Sequence, residues 1–157
     1  MIHSDLCLPV ETTTLSGEHY VLTFIDDYSR FCEVRFFKKK SDIAVEFNKF
    51  LKLKDIVKKF FCENEEKYVA GALQKVTRKA GIEIDPCPSY TPKLNGVAER
   101  KNRTLFDKNH AMLNDSKLPK FFGGCAIRAA ISLHNRNPYT SLNNRTTYDL
   151  KYSTKPV

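Results

Sequence analysis

Three carboxylates stand where metal chemistry would need them. Asp5 lies near the N-terminus, Glu63 follows the aromatic pair Phe60-Phe61, and 35 residues separate Glu63 from Glu99. Carboxylate oxygens are hard ligands, and Mg²⁺ keeps several of its waters, so a few such groups from separate elements can hold one or two ions. Two ions about 4 Å apart can clamp the attacking and leaving oxygens of an in-line displacement at phosphorus. Arg100, Lys101 and Arg103 follow Glu99, and Lys93 and Asn95 precede it, so groups able to contact phosphates stand beside the candidate ligand. Spacing alone leaves a second reading open, a solvated helix face, because 18 acids in 157 residues offer many such triples.

Other titratable residues invite weaker readings. Asp26 and Asp27 are adjacent, but Asp26-Asp27-Tyr28-Ser29-Arg30 is turn chemistry, where Asp serves local backbone hydrogen bonds. His3 shares a strand face with Asp5 by the period of two, and a lone His there reads as a packing or hydrogen-bonding residue. Five cysteines lack any CxxC spacing, which excludes a zinc site or a disulfide framework and predicts reduced, mostly buried thiols in an intracellular protein. The 26 Lys and Arg against 18 Asp and Glu give a net charge of +8, which favours a polyanionic partner, nucleic acid before membrane. No apolar run is long enough to span a bilayer.

The elements that must position these groups follow from pattern. The chain is long enough for one domain that buries roughly 70% of its unfolded surface. Ile2 to Cys7 reads as a strand. The β-branched and aromatic run Tyr20 to Ile25 and the segment Phe31 to Phe37 then make an antiparallel hairpin around the Asp-rich turn. Ile43, Phe47, Phe50 and Leu51 recur at helical spacing after Ser41-Asp42. A strand over Ile56 to Phe61, a helix from Val69 to Lys79 ending at Gly81, and a short strand Ile82 to Ile84 stopped by Pro86 and Pro88 come next. A long helix over Leu94 to Asn114 presents Ala98, Leu105 and Met112 to the sheet, with Val97 and Leu113 beside them. A last helix, Lys120 to His134, carries the close-packing run Gly123-Gly124-Cys125-Ala126, and the polar tail from Asn135 reads as irregular. The order βββαβαβαα is that of an α/β domain over 1–134 with a C-terminal extension over 135–157.

Three segments resemble the integrase catalytic core of Copia-type LTR retrotransposons. They are His3-Ser4-Asp5-Leu6-Cys7, Thr23 to Arg30, and above all Tyr90-Thr91-Pro92 through Asn95-Gly96-Val97-Ala98-Glu99-Arg100-Lys101-Asn102-Arg103-Thr104. Thr147-Tyr148-Asp149-Leu150 and Lys155-Pro156 extend the resemblance weakly along the tail. It implies an RNase H-like fold, with three antiparallel strands and two parallel ones flanked by helices. It also implies a metal triad of Asp5, Glu63 and Glu99 holding two Mg²⁺ or Mn²⁺ ions, and cleavage and joining of DNA by transesterification. DNA at the element's ends and at the target, a homo-oligomer and a nuclear site of action come with it, as does the expectation that the chain is part of a longer polyprotein.

The sequence departs from that pattern at one telling place. The family's second acid lies in a segment resembling Ser-Asp-Asn-Gly-Gly-Glu-Tyr, and the aligned residues here are Cys62-Glu63-Asn64-Glu65-Glu66-Lys67-Tyr68. Glu63 can supply an oxygen, but its extra methylene moves the carboxylate, and a displacement of about 1 Å can cost about a hundredfold in rate. Both glycines of the turn are gone as well. Leu8 before Pro9, and Phe122-Gly123-Gly124 in place of Trp-Gly-Glu, are further departures. Two functions are therefore expected: an integrase core impaired in this copy, or a non-catalytic DNA-binding or assembly module that keeps the fold.

Overall fold

A computed structural model of the chain describes residues 1–7, 13–52, 57–62, 67–86 and 96–156. Strands β1 (Ile2–Cys7), β2 (Tyr20–Asp26) and β3 (Cys32–Phe37) run antiparallel in sequence order. Helix α1 (Ile43–Lys52) then crosses over to β4 (Lys59–Cys62), which lies parallel to β1, and α2 (Lys67–Lys79) crosses to β5 (Glu83–Pro86), parallel to β4. The sheet order is β3-β2-β1-β4-β5, so β1 is central and Asp5 sits in the middle of the domain. This is the mixed sheet of three antiparallel and two parallel strands that the sequence leads one to expect.

Alternation along the central strands builds two separate cores. Ile2 on β1, Leu22 and Phe24 on β2 and Phe60 on β4 face one way, onto α1 and α2, where Phe47, Phe50 and Leu73 meet them. The Phe24 and Phe50 rings stack with centroids 3.9 Å apart. Val21 and Ile25 face the other way, with Cys32 and Phe36 of β3. That face is covered by α3 (Gly96–Ser116) and α4 (Gly123–Arg136), through Ala98, Leu105, Ile127, Ala130 and Ile131. His3 and Asp5 alternate with Ile2, Ser4 and Leu6 on β1, so they share this second face.

Several boundaries differ from those read in the sequence, each for a physical reason. Pro86 does not stop β5 but is its last residue, opposite Cys62. In that five-stranded sheet β5 is an edge strand, where the missing N–H of proline is tolerated. The fourth strand starts at Lys59, three residues later than expected; Ile56 lies outside the described residues, as do Leu94 and Asn95 at the expected start of the long helix. Residues 120–122 form a 3₁₀ turn, and the α-helix begins at Gly123. Cys32 is buried as expected, but Cys125 is exposed.

The largest correction concerns the tail, which is ordered rather than irregular. Two short strands, β6 (Pro138–Tyr139) and β7 (Arg145–Thr146), pair as a hairpin, and α5 (Thr147–Tyr152) follows. Asn143 and Asn144 take positive φ in its loop, a conformation that Asn tolerates well. A capping box starts α5: Thr146 Oγ1 accepts from the Asp149 N–H at 2.9 Å, and Asp149 Oδ2 accepts from the Thr146 N–H at 3.2 Å. Polar composition hid this structure, although Thr146-Thr147-Tyr148-Asp149 carries the capping signal. Tyr148 and Tyr152 pack edge-on to Phe31, and Lys151 reaches Asp26, so the tail is seated on the turn between β2 and β3.

Gly124 sets how closely α4 approaches the rest. A Cβ there would lie 2.7 Å from Thr14 Cγ2 and 3.3 Å from Thr14 Cβ. Thr14 cannot swing away cheaply, because its hydroxyl donates to Glu18 Oε2 at 2.7 Å and accepts from the Glu18 N–H at 3.1 Å. Gly124→Ala is expected to cost about 1–3 kcal/mol and lower Tm by roughly 3–10 °C. Adding Thr14→Ser, which keeps the hydroxyl and removes the clashing methyl, should return most of that loss in a thermal melt.

Candidate active site

The site is built where α3 crosses β1. Asp5 is half-buried on the central strand, opposite Thr23 of β2, whose hydroxyl donates to the Asp5 carbonyl at 3.2 Å. Asn102 of α3 donates through Nδ2 to Asp5 Oδ2 at 2.6 Å. Glu99 lies one turn earlier on the same helix and is exposed. The helix buries Ala98, Asn102, Leu105 and Asn109 along one stripe, leaving Glu99 at its border. The structure thus brings the first and third candidate acids onto touching elements, with Asn102 joining them.

The second acid, Glu63, lies outside the described residues, as do Lys93 and Asn95. Its strand is described up to its neighbour. Cys62 pairs with Ser4 in the parallel ladder, so β4 ends level with the residue that precedes Asp5. Among the described residues, no three His, Cys, Asp or Glu side chains gather to hold a metal.

The donor chemistry at the crossing does suit a hard divalent cation. Asp5 and Glu99 offer carboxylate oxygens, and the buried Asn102 Oδ1 has no hydrogen-bond partner. Asn102 is the residue that sequence reasoning passed over. Its signal was a polar side chain four residues after Ala98, within the apolar stripe, where an unpartnered amide carries a desolvation cost.

The basic residues of α3 divide. Arg100 and Arg103 are exposed, and the Arg100 guanidinium lies back over Gly96, 3.7 Å from where a Cβ would be. Lys101 instead turns inward and is half-buried, with Nζ 2.9 Å from His134 Nε2 on α4. Lysine has donors only, so the imidazole accepts from it; Nε2 also lies 3.4 Å from the Arg30 carbonyl, and Nδ1 meets the Tyr139 hydroxyl. Burial lowers the Lys101 pKa, and burial with the nearby Lys101 charge pushes His134 down to about 4. Burial also raises the Cys32 thiol to about 12, so it is inert.

The remaining candidates have structural partners. His3 is buried with Nε2 3.0 Å from Asp27 Oδ1, and Arg30 reaches the same oxygen at 3.3 Å. Asp26 accepts from the Ser29 hydroxyl at 2.6 Å and from Lys151 at 3.5 Å. Burial works against its charge, but the Ser29 bond and the Lys151 cation together hold its carboxyl below the usual value. The adjacent acids therefore tie the β2–β3 turn to β1 and to α5, in agreement with the turn reading of the sequence.

Comparisons with known proteins place this geometry among relatives. No family model matches the chain. It is 36% identical over 147 residues to the retrovirus-related Pol polyprotein from transposon TNT 1-94 of Nicotiana tabacum, covering 90% of this chain and 11% of that protein. It is 27% identical over 142 residues to the Pol polyprotein from transposon RE1 of Arabidopsis thaliana, covering 87% of this chain and 10% of that one. A Ty1-DR6 Gag-Pol polyprotein of Saccharomyces cerevisiae matches at 27% over 144 residues, 85% of this chain and 8% of that protein. The chain thus spans about a tenth of the length of the curated relatives it matches. In three dimensions it resembles a chain in the cryo-EM structure of the simian T-cell lymphotropic virus intasome in complex with PP2A regulatory subunit B56 gamma. The TM-score is 0.78 at 17% identity, with 99% of this chain and 55% of that one covered. The crystal structure of the catalytic core domain of BIV integrase gives a TM-score of 0.66 at 16% identity, over 94% of this chain and 91% of that one. These likenesses establish the RNase H-like fold of integrase cores.

His134 gives the site a measurable pH signature. An unfolded histidine takes up a proton near pH 6.5, whereas His134 refuses it until about 4, so the native form is at full strength above 6.5 and loses stability as pH falls toward 4. The contribution is up to ~3 kcal/mol across that window. Denaturant unfolding followed from pH 7 to 4 should show a slope about one proton smaller in His134→Gln than in the parent chain.

Proposed function

This chain belongs with the retrovirus-related Pol polyproteins of transposons and has the fold of retroviral integrase cores, and from that premise we propose that it is the integrase catalytic core of a retrotransposon, catalytically impaired as written. The observation that carries the reading is the contact between Asp5 and Asn102, which fastens the start of α3, with Glu99, to the central strand. Asp5, Glu99 and Glu63 would hold one or two Mg²⁺ or Mn²⁺ ions, with Asn102 keeping the Asp5 carboxylate in place. When bound, the cations would favour the deprotonated nucleophile and offset charge that develops on the phosphoryl oxygens.

The chain's own residues supply position. Arg100 and Arg103 are exposed beside Glu99, and Lys93 and Asn95 precede it in sequence, so DNA phosphates would be gripped along α3. In end processing, a water oxygen bonds to phosphorus as the bond to the 3′ oxygen breaks. In strand transfer, that free 3′-hydroxyl oxygen attacks a target phosphorus, and the target's own 3′ oxygen leaves. Phosphate contacts carry no sequence information, so recognition through these groups would rest on the backbone and weaken with salt. DNA as partner, self-association and a nuclear place of action all belong to this proposal. Among the described residues no helix is long and apolar enough to cross a membrane.

Glu63 in place of Asp favours a second reading, a DNA-binding or assembly module that keeps the fold without the chemistry. A strand-transfer assay with Mn²⁺ and preprocessed duplex ends separates the two. The impaired-enzyme account expects little product from the parent chain and roughly 10- to 100-fold more from Glu63→Asp, with that gain abolished by Asp5→Asn or Glu99→Gln. If Glu63→Asp binds DNA with the parent's affinity yet makes no product, the module reading stands instead.

A further inference from the structure

Lys101 carries a positive charge in the middle of a basic run, yet it does not share the exposure of Arg100 and Arg103. Its ammonium is engaged inside the protein, in a chain of hydrogen bonds that runs from α3 to His134 of α4 and on to Tyr139 of β6. His134 is 4% exposed, and the next residue, Asn135, is 5% exposed. Asn135 locks the same region from the other side: its Oδ1 accepts from the Cys32 N–H at 3.0 Å and its Nδ2 donates to the Cys32 carbonyl at 2.7 Å. Thr147 donates to Asn135 Oδ1 at 3.1 Å, so the C-terminal extension is clamped to the edge strand β3. Burying a lysine is costly, and the cost must be offset by what its contacts fix.

What they fix is the rotation of α3. Successive residues of an α-helix point about 100° apart. Asn102 is held by the sheet through Asp5, and its neighbour Lys101 is held by α4 through His134. Two anchors in adjacent directions stop the helix from rolling about its axis. A roll of about 10° would move a carboxylate about 6 Å from that axis by about 1 Å, a shift large enough to cost about a hundredfold where geometry sets the rate. The geometry points to Lys101, His134 and Tyr139 as positioning residues through which the C-terminal extension sets the orientation of Asn102 and Glu99 toward Asp5, and to Lys101 as an internal tie rather than a phosphate contact. This rests on the integrase-core reading of the site, which gives the orientation of Glu99 its purpose.

Two measurements on the full chain test it. The first is the salt dependence of binding to a short DNA duplex. A lost phosphate contact lowers the slope of log K against log salt by about 1, so Arg103→Ala should lower it and Lys101→Met should not. The second is the side-chain amide of Asn102 in ¹⁵N NMR, assigned by its loss in Asn102→Leu. In Lys101→Met and in Tyr139→Phe, which removes one hydroxyl and spares the fold, this signal should move toward that of a free amide and exchange with solvent about tenfold faster. An Asn102 signal unmoved in folded Tyr139→Phe, or a salt slope reduced by about 1 in Lys101→Met, would overturn the assignment. Mn²⁺ added to the parent chain should broaden the Asn102 signal. Failure to do so counts against the metal-site reading alone, because the tie is measured without metal.

Discussion

One hydrogen bond joins the parts of this molecule that must act together. Asn102 Nδ2 meets Asp5 Oδ2 at 2.6 Å, from a helix that covers the sheet to the strand at the sheet's centre. A bond to an ionised carboxylate is stronger than one between neutral groups. It is also surrounded by apolar packing, Ala98 one turn before it and Leu105 one turn after, against Val21 and Ile25. The apolar stripe turns one face of α3 to the sheet but sets its rotation only coarsely, because such contacts have no direction. The amide contact supplies the direction.

The rest of the fold makes that crossing rigid. On the far side of the sheet, Phe24, Phe47 and Phe50 stack and Phe60 tilts against them, an aromatic core that keeps β2 and β4 beside β1. On the near side, the close approach of α4 at Gly124 and the clamp of Asn135 on Cys32 hold the helix pair and the C-terminal extension. The extension in turn rests on the β2–β3 turn through Tyr148, Tyr152 and Lys151. Asp26 and Asp27, which look like an acid dyad in the sequence, serve as the fastening points of that turn.

Much of this was legible in the residues, and for reasons that can be named. The β-branched and aromatic run Tyr20 to Ile25 and the helical recurrence of Ile43, Phe47 and Phe50 are strong signals, because the first reports a strand buried on both faces and the second a helix buried on one. The run from Gly96 to Thr104 identified α3 and its relatives. What escaped was carried by polar residues in buried places. Asn102, His134 and Asn135 show no periodicity in a hydrophobic pattern, and their partners lie 97, 33 and 103 positions away in sequence. The ordered tail was missed for the same reason, since its stability comes from a capping box and from aromatic contacts with Phe31 rather than from an apolar stripe. Lys101 shows the limit most clearly: charge pattern grouped it with Arg100 and Arg103, and only packing separates them.

The central claim is that Asp5 and Glu99 face a shared cation. Anomalous diffraction from crystals of the chain grown with Mn²⁺ addresses it directly. The account predicts an anomalous peak within bonding distance of the Asp5 and Glu99 carboxylates, lost in Asp5→Asn. A Mn²⁺-saturated crystal with no peak between them, and with the Glu99 side chain turned away from Asp5, would contradict it.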